Sequence, residues 1–243
     1  MLHTYWRASR AARYSLLFAL PLLIVYQVLA ALTPAEPGGI GVRNGADVVL
    51  QSIFVAVAGR WGPSLFMVCI IAVGGWLIAK DWRSHPGGLR PPVLGGMLLE
   101  SVTLALVFGV LVGTLTAVLL GPPPPLALGV PPQLGRWTLL VLSLGAGIYE
   151  ELLFRVVLVG LLAWAARKVL GCRPLVAGIT ATVLGALIFS AFHYIGPYGD
   201  RFEVYSFVFR AIAGLFFSGL YLLRGFGITA WTHALYDVTL LLR

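Results

Sequence analysis

Charge is what this sequence has least of. Only 11% of its 243 residues are Asp, Glu, Lys or Arg, while 59% are hydrophobic and the mean hydropathy is +0.93. Water-soluble domains carry about 25% charged residues, so an ordinary soluble globule is excluded. Lysine is nearly absent, with two residues against fifteen arginines. Cysteine is limited to Cys69, inside an apolar run, and Cys172, in a basic loop. That leaves no disulfide framework and no cysteine-based metal pattern. Internal repeats and linkers are also missing, so residues 1–243 read as one membrane domain. The 29 glycines and 15 prolines suit packed membrane helices, where both residues are commoner than in soluble ones. Each crossing needs about 20 apolar residues. The fold class is therefore all-α, a polytopic transmembrane helical bundle of about seven or eight spans.

The charge that is present is basic, +8 at neutral pH with a pI near 9.9. It does not form a nucleic-acid surface. The basic residues sit in short clusters between apolar runs: Arg7, Arg10 and Arg13; Lys80, Arg83 and Arg90; Arg167, Lys168 and Arg173. That spacing belongs to membrane topology and anionic lipid surfaces. No nucleic-acid partner is expected.

The apolar run from Tyr14 to about Leu32 follows a charged N-terminus, as in a signal peptide. At about 19 residues it is longer than a signal core of 7–15, and it reads as an uncleaved first span. The apolar stretch 48–59 is only 12 residues long and reads as an interfacial helix. Further spans are expected at about 63–79, 94–120, 175–192, 204–222 and 226–242. Residues 121–135 hold Pro122 to Pro125, Pro131 and Pro132 and must be a loop. The thirty residues from Trp137 to Ala166 exceed one bilayer thickness, which suggests a short approach helix followed by a true span. The three basic clusters, with Arg224, fall in the loops preceding spans one, three, five and seven. Seven crossings with a cytoplasmic N-terminus and an outer C-terminus satisfy that asymmetry.

Ionisable side chains within spans are disfavoured by about 2.5–3.5 kcal/mol each and usually face a cavity or a partner. This chain has Glu100, Glu150, Glu151, Arg155, His193, Arg210, His233 and Asp237 in or beside apolar runs. In Glu150-Glu151-Leu-Leu-Phe-Arg155, Glu151 and Arg155 are four residues apart with the acid first, the favourable order for pairing on a helix. Glu150 is turned about 100° away and lacks that local partner. Phe189-Ser-Ala-Phe-His193 closes the fifth span, and His233 and Asp237 share one face of the last. Each group also has a purely structural reading: a buried ion network, an aromatic belt with Tyr194 and Tyr198, or a local His–Asp hydrogen bond. Depth arithmetic at 1.5 Å per residue lets all three positions meet in one half of the membrane.

Such a meeting of carboxyls and imidazoles can activate water and stabilise an oxyanion. It can also bind a metal through two histidines and an acid. No serine or cysteine nucleophile is clearly placed. Ser218-Gly219 lacks the glycine that precedes a rhomboid serine, and neither His-Glu-x-x-His nor Gly-x-Gly-Asp occurs. Water is the expected nucleophile.

The three motifs together resemble the CPBP family, the CaaX-prenyl-protease and bacteriocin-processing (Abi) intramembrane proteases. The family pattern is Glu-Glu-x-x-x-Arg, Phe-x-x-x-His and His-x-x-x-Asn/Asp on successive late helices. The resemblance covers about 137–240, which would be the catalytic core; the earlier spans carry no such motif. It implies a glutamate-dependent intramembrane endopeptidase with no cofactor and no metal. Glu150 would be the general base, and His193 would help to position or polarise the water. His233 with Asp237 would support the oxyanion, and Glu151 and Arg155 would order the site. The Gly145–Gly147 approach is a candidate cavity wall. The commonest last motif ends in Asn, and an ionised Asp237 would repel an oxyanion. Asp237 either stays protonated through desolvation or, the favoured reading, orients and charges His233.

The partners implied are the lipid bilayer and a membrane-anchored protein or peptide substrate. That substrate would be a prenylated C-terminus, a peptide precursor or an exported protein with a C-terminal sorting tail. The arginine bias suggests a bacterial inner membrane. Two other readings stay open, a zinc-dependent membrane protease using His193, His233 and Glu150, and a non-catalytic scaffold or transporter with a polar gate.

Overall fold

A backbone in lipid must satisfy its own N–H and C=O groups, and among the described residues of this computed structural model it does so with helices alone. Those residues are 2–33, 41–123, 135–196 and 199–241. The helices are α1 (Leu2–Arg10), α2 (Ala12–Leu32), α3 (Gly45–Ala58), α4 (Gly62–Ser84), α5 (Pro91–Leu120) and α6 (Arg136–Gly145). A π-helical segment (Ala146–Leu158) then runs directly into α7 (Val159–Lys168). The last three are α8 (Pro174–Phe192), α9 (Val204–Arg224) and α10 (Phe226–Leu240). Prolines open α4, α5 and α8, where a missing N–H has no intrahelical partner to lose. Gly225, at φ +80°, is the single residue between α9 and α10 and takes a conformation that a side chain would oppose. The proline-rich stretch lies outside the described residues from 124 to 134, and so does Tyr198.

Among the described residues, five segments are long and apolar enough to cross a membrane: Ala12–Leu32, Gly45–Ser84, Pro91–Leu120, Pro174–Phe192 and Val204–Arg224. Their outer faces carry large exposed apolar side chains, such as Leu99, Val110, Val118 and Leu119 on α5, as a lipid-facing surface requires. The other two expected spans correspond to 136–168 and to α10. Neither is a long uniform apolar helix. The first changes hydrogen-bond register at Ala146, ahead of its acidic pair, and α10 has only 15 residues and carries His233 and Asp237. Neighbours compensate for this polarity, because α10 packs against α2, α5, α6, α9 and the π segment. The apolar stretch at 48–59 falls within α3, which turns at Gly59–Trp61 to pack beside α4. At 14 residues α3 is about 21 Å long, shorter than a hydrocarbon core.

Helix α2 runs from the basic end to the acidic site. Near its start the Tyr14 hydroxyl accepts from Arg90 N–H (2.9 Å), and the Ser15 hydroxyl accepts from Gly227 N–H (2.8 Å). Tyr26, about 18 Å further along, bonds Asp47 (2.7 Å) and packs on Tyr149, next to the acidic pair.

The basic end holds a polar latch that accounts for Glu100. Arg224 donates from Nε to Glu100 Oε1 (2.6 Å) and from Nη2 to Oε2 (2.7 Å), a two-point pairing. Nη2 also donates to Ser9 Oγ (2.8 Å), and Tyr5 donates to Glu100 Oε2 (2.6 Å). The guanidinium lies 3.9 Å from the Trp6 ring centroid. Helices α1, α5 and α9 are thereby clamped together far from the acidic pair. Glu100→Ala would strand the buried Arg224 charge and should cost on the order of 3 kcal/mol. The thermal midpoint of the purified protein in detergent reads this, and an unchanged midpoint would contradict the latch.

Candidate active site

Glu150 and Glu151 are adjacent, yet both are buried. The π register makes this possible. A five-residue hydrogen-bond step widens each turn, so neighbouring side chains diverge less than the 100° expected on an α-helix. Two glycines let other segments reach this stretch. A Cβ at Gly147 would strike the Ala230 carbonyl and the Ala234 methyl of α10. One at Gly145 would lie 2.5 Å from Asn44 Cβ and 2.6 Å from the Tyr26 ring. The expectation that Gly145 and Gly147 form a cavity wall is therefore corrected: they are points of close contact between segments, with neighbouring atoms where a Cβ would stand. Two clefts, of about 410 and 700 Å³, lie at the basic end, around Arg13 and Arg90.

Close approach to α10 brings Glu151 to His233. Glu151 Oε1 is 2.7 Å from His233 Nδ1, and Glu151 Oε2 is 3.2 Å from Arg155 Nε. One fully buried carboxylate thus serves both an arginine and a histidine. The pairing of Glu151 with Arg155 was legible from their spacing, but the link to His233 was not. Arg155 lies between aromatic faces, 4.4 Å from the Phe189 centroid and 5.5 Å from Phe217. Phe217 stacks on His233 at 4.3 Å and 18°, fixing the plane of the imidazole.

His193 is the residue that caps α8, as its place at the end of that apolar run suggested. Its Nδ1 is 2.9 Å from the Phe189 carbonyl. A carbonyl only accepts, so Nδ1 carries the hydrogen and Nε2 of the neutral ring keeps its lone pair. That Nε2 is 3.9 Å from Glu150 Oε2, and His233 Nε2 is 4.0 Å from the same oxygen. Glu150 Oε2 is buried and has no hydrogen-bond partner. Asp237 Oδ2 lies 3.7 Å from His233 Nε2, one turn along α10. The cluster is open toward His193 and Asp237, whose side chains keep 25% and 27% exposure, while Glu150 keeps 8%.

All six expected positions (Glu150, Glu151, Arg155, His193, His233 and Asp237) come together. Glu100 does not join them, since it belongs to the latch, whereas Arg210 pairs with Asp200, lies over Tyr194 and is near enough for its charge to act on His193 and Asp237. One site residue was missed. Asn44, which lies between the first two expected spans, donates from Nδ2 to Glu150 Oε1 (2.9 Å). Its sequence signal was that of a helix start: Asn44 begins a capping pattern with an acid, Asp47, three residues on. Nothing in that pattern announces a reach of 106 residues.

The chemistry available is that of a carboxylate with one unpaired oxygen about 4 Å from two imidazole nitrogens. Among the described residues, no group of three or more His, Cys, Asp or Glu side chains is arranged to hold a metal ion.

Comparison with known proteins agrees with the motifs. Residues 132–239 match the family model described as type II CAAX prenyl endopeptidase Rce1-like. No curated protein and no solved structure matches the chain. The matched residues include every acid and histidine of the cluster, whereas Asn44 lies outside them. The chain is an integral membrane protein whose residues 132–239 are similar to the Rce1-like, CAAX-type protease family that its motifs resemble.

Proposed function

We propose that the chain is an intramembrane endopeptidase in which Glu150 activates water against a peptide bond. The observation that carries this reading is the free, buried Glu150 Oε2, held about 4 Å from Nε2 of both His193 and His233. A water admitted beside these groups from the open side donates one hydrogen to Glu150 Oε2 and another to His193 Nε2. Attack on the scissile carbonyl forms the C–O bond as Glu150 takes the proton. His233 in its cationic form donates from Nε2 to the developing oxyanion. Glu151 holds the opposite ring nitrogen, and Asp237 balances the imidazolium charge. Collapse breaks the C–N bond, and Glu150 returns the proton to the leaving amine. Glu151 and Arg155 act by keeping His233 oriented.

The substrate is a membrane-anchored protein or peptide. It enters from the side of His193 and Asp237, where the cluster is open. The family resemblance admits a prenylated C-terminus, a peptide precursor or a C-terminal sorting tail. An active site in the outer half of a bacterial inner membrane, as the charge asymmetry suggests, favours the exported substrates.

Glu150→Gln should reduce turnover of an anchored peptide by about 10²–10⁴-fold, the usual contribution of a general base. His193→Ala should fall in the same range, and retained turnover in either variant would defeat the assignment. Asp237→Asn should lower turnover by about tenfold, less than the 10²–10³ of losing an oxyanion donor outright. Wild-type turnover with an unchanged pH profile in that variant would remove any role for the carboxylate.

A further inference from the structure

We infer that Asn44, outside the protease-family region, is a positioning residue that selects which oxygen of Glu150 does the chemistry. The inference rests on the reading of Glu150 as the base. Three contacts hold Asn44 before it meets Glu150. Its Oδ1 accepts from Ala46 N–H (2.8 Å), capping α3. Its own N–H donates to the Tyr26 hydroxyl (3.2 Å). Its Cβ sits against the place where Gly145 lacks one. With Oδ1 taken as acceptor, the amide must present its NH₂ on the other side, and there it meets Glu150 Oε1 at 2.9 Å.

The anchor behind it is equally fixed. Tyr26 donates to Asp47 Oδ2 (2.7 Å), Arg43 donates to the same oxygen (2.7 Å), and Gln51 donates to Oδ1 (2.6 Å). Asp47 is fully buried. Gln27, one residue after Tyr26, donates to the hydroxyl of Tyr149, the neighbour of Glu150 (2.5 Å). This network ties α2 and α3 to the acidic pair through side chains alone.

A carboxylate otherwise has two equivalent oxygens and rotates between them. Asn44 occupies Oε1, so Oε2 is left facing both histidines. Because a displacement of about 1 Å can cost 10²-fold in rate, fixing that choice is a kinetic role. It also explains why the family region alone does not complete the site.

Two substitutions separate this role from helix capping. Asp and Ser cap an N-terminus about as well as Asn does. Asn44→Ser keeps the cap but is too short to reach Glu150. Asn44→Asp keeps the cap and sets a second carboxylate against Oε1. With an anchored peptide in detergent, Asn44→Ser should lose about 10- to 100-fold in kcat with KM within about twofold. Asn44→Ser should keep the wild-type thermal midpoint, whereas Asn44→Asp should lose at least as much kcat and also melt lower, because its second carboxylate is buried against Glu150. Wild-type kcat in both folded variants would overturn the inference. So would a loss of kcat in Asn44→Ser that comes with a lowered melting midpoint, because capping alone would then explain it. Glu150→Gln is measured alongside. If it is inactive while Asn44→Ser is normal, only the role of Asn44 fails. If it is active, the reading of the site fails first.

Discussion

The Glu151 carboxylate is the group on which the rest of the site depends. It is fully buried between Arg155 Nε and His233 Nδ1, so it joins the π segment to α10 in a single charge-balanced contact. A charge in so apolar a bundle is tolerated only when paired, and removing either partner would leave the other uncompensated. Because Glu151 is committed to this pairing, its neighbour Glu150 is the acid left with a free oxygen. The proposed division of labour between two identical adjacent residues thus follows from which partner each one meets.

That division needs backbone geometry that α-helical regularity would not supply. The π segment turns both acids inward, and Gly145 and Gly147 allow α3 and α10 to approach from different sides. Asn44 arrives through the first contact and His233 through the second. Aromatic packing completes the arrangement. Phe217 lies between Arg155 and His233, and Phe189 supplies a face to Arg155 and a carbonyl to His193. Polar groups at the two ends of the bundle therefore have separate tasks. The Glu100–Arg224 latch clamps helices, while the acids and histidines leave one oxygen unpaired.

Much of this was legible in the sequence because charge is so rare in it. Glu150, Glu151, Arg155, His193, His233 and Asp237 stand out against apolar runs, and helical spacing with depth arithmetic was enough to bring them to one level. The family resemblance of those motifs agrees with the family match at 132–239. What spacing cannot express is contact between distant segments. Asn44 looks like a helix cap because it is one, and only packing against Gly145 directs its amide to Glu150. The π register was equally hidden, since a run of apolar residues with two acids fits α and π periodicities alike. In the sequence, the last helix reads as an ordinary span and 137–166 as a short approach helix followed by a span. Residues 136–168 and α10 depart from a uniform apolar helix because surrounding helices, rather than lipid, accommodate their polar residues.

The central claim is direct attack by a water held on Glu150. Single-turnover cleavage of a membrane-anchored peptide by the purified protein, in water labelled with oxygen-18 and quenched over time, tests it most directly. The account expects one labelled oxygen in the new C-terminal carboxylate and an enzyme mass that never changes. A covalent acyl-enzyme at any time point, or label appearing in the Glu150 carboxylate, would contradict it.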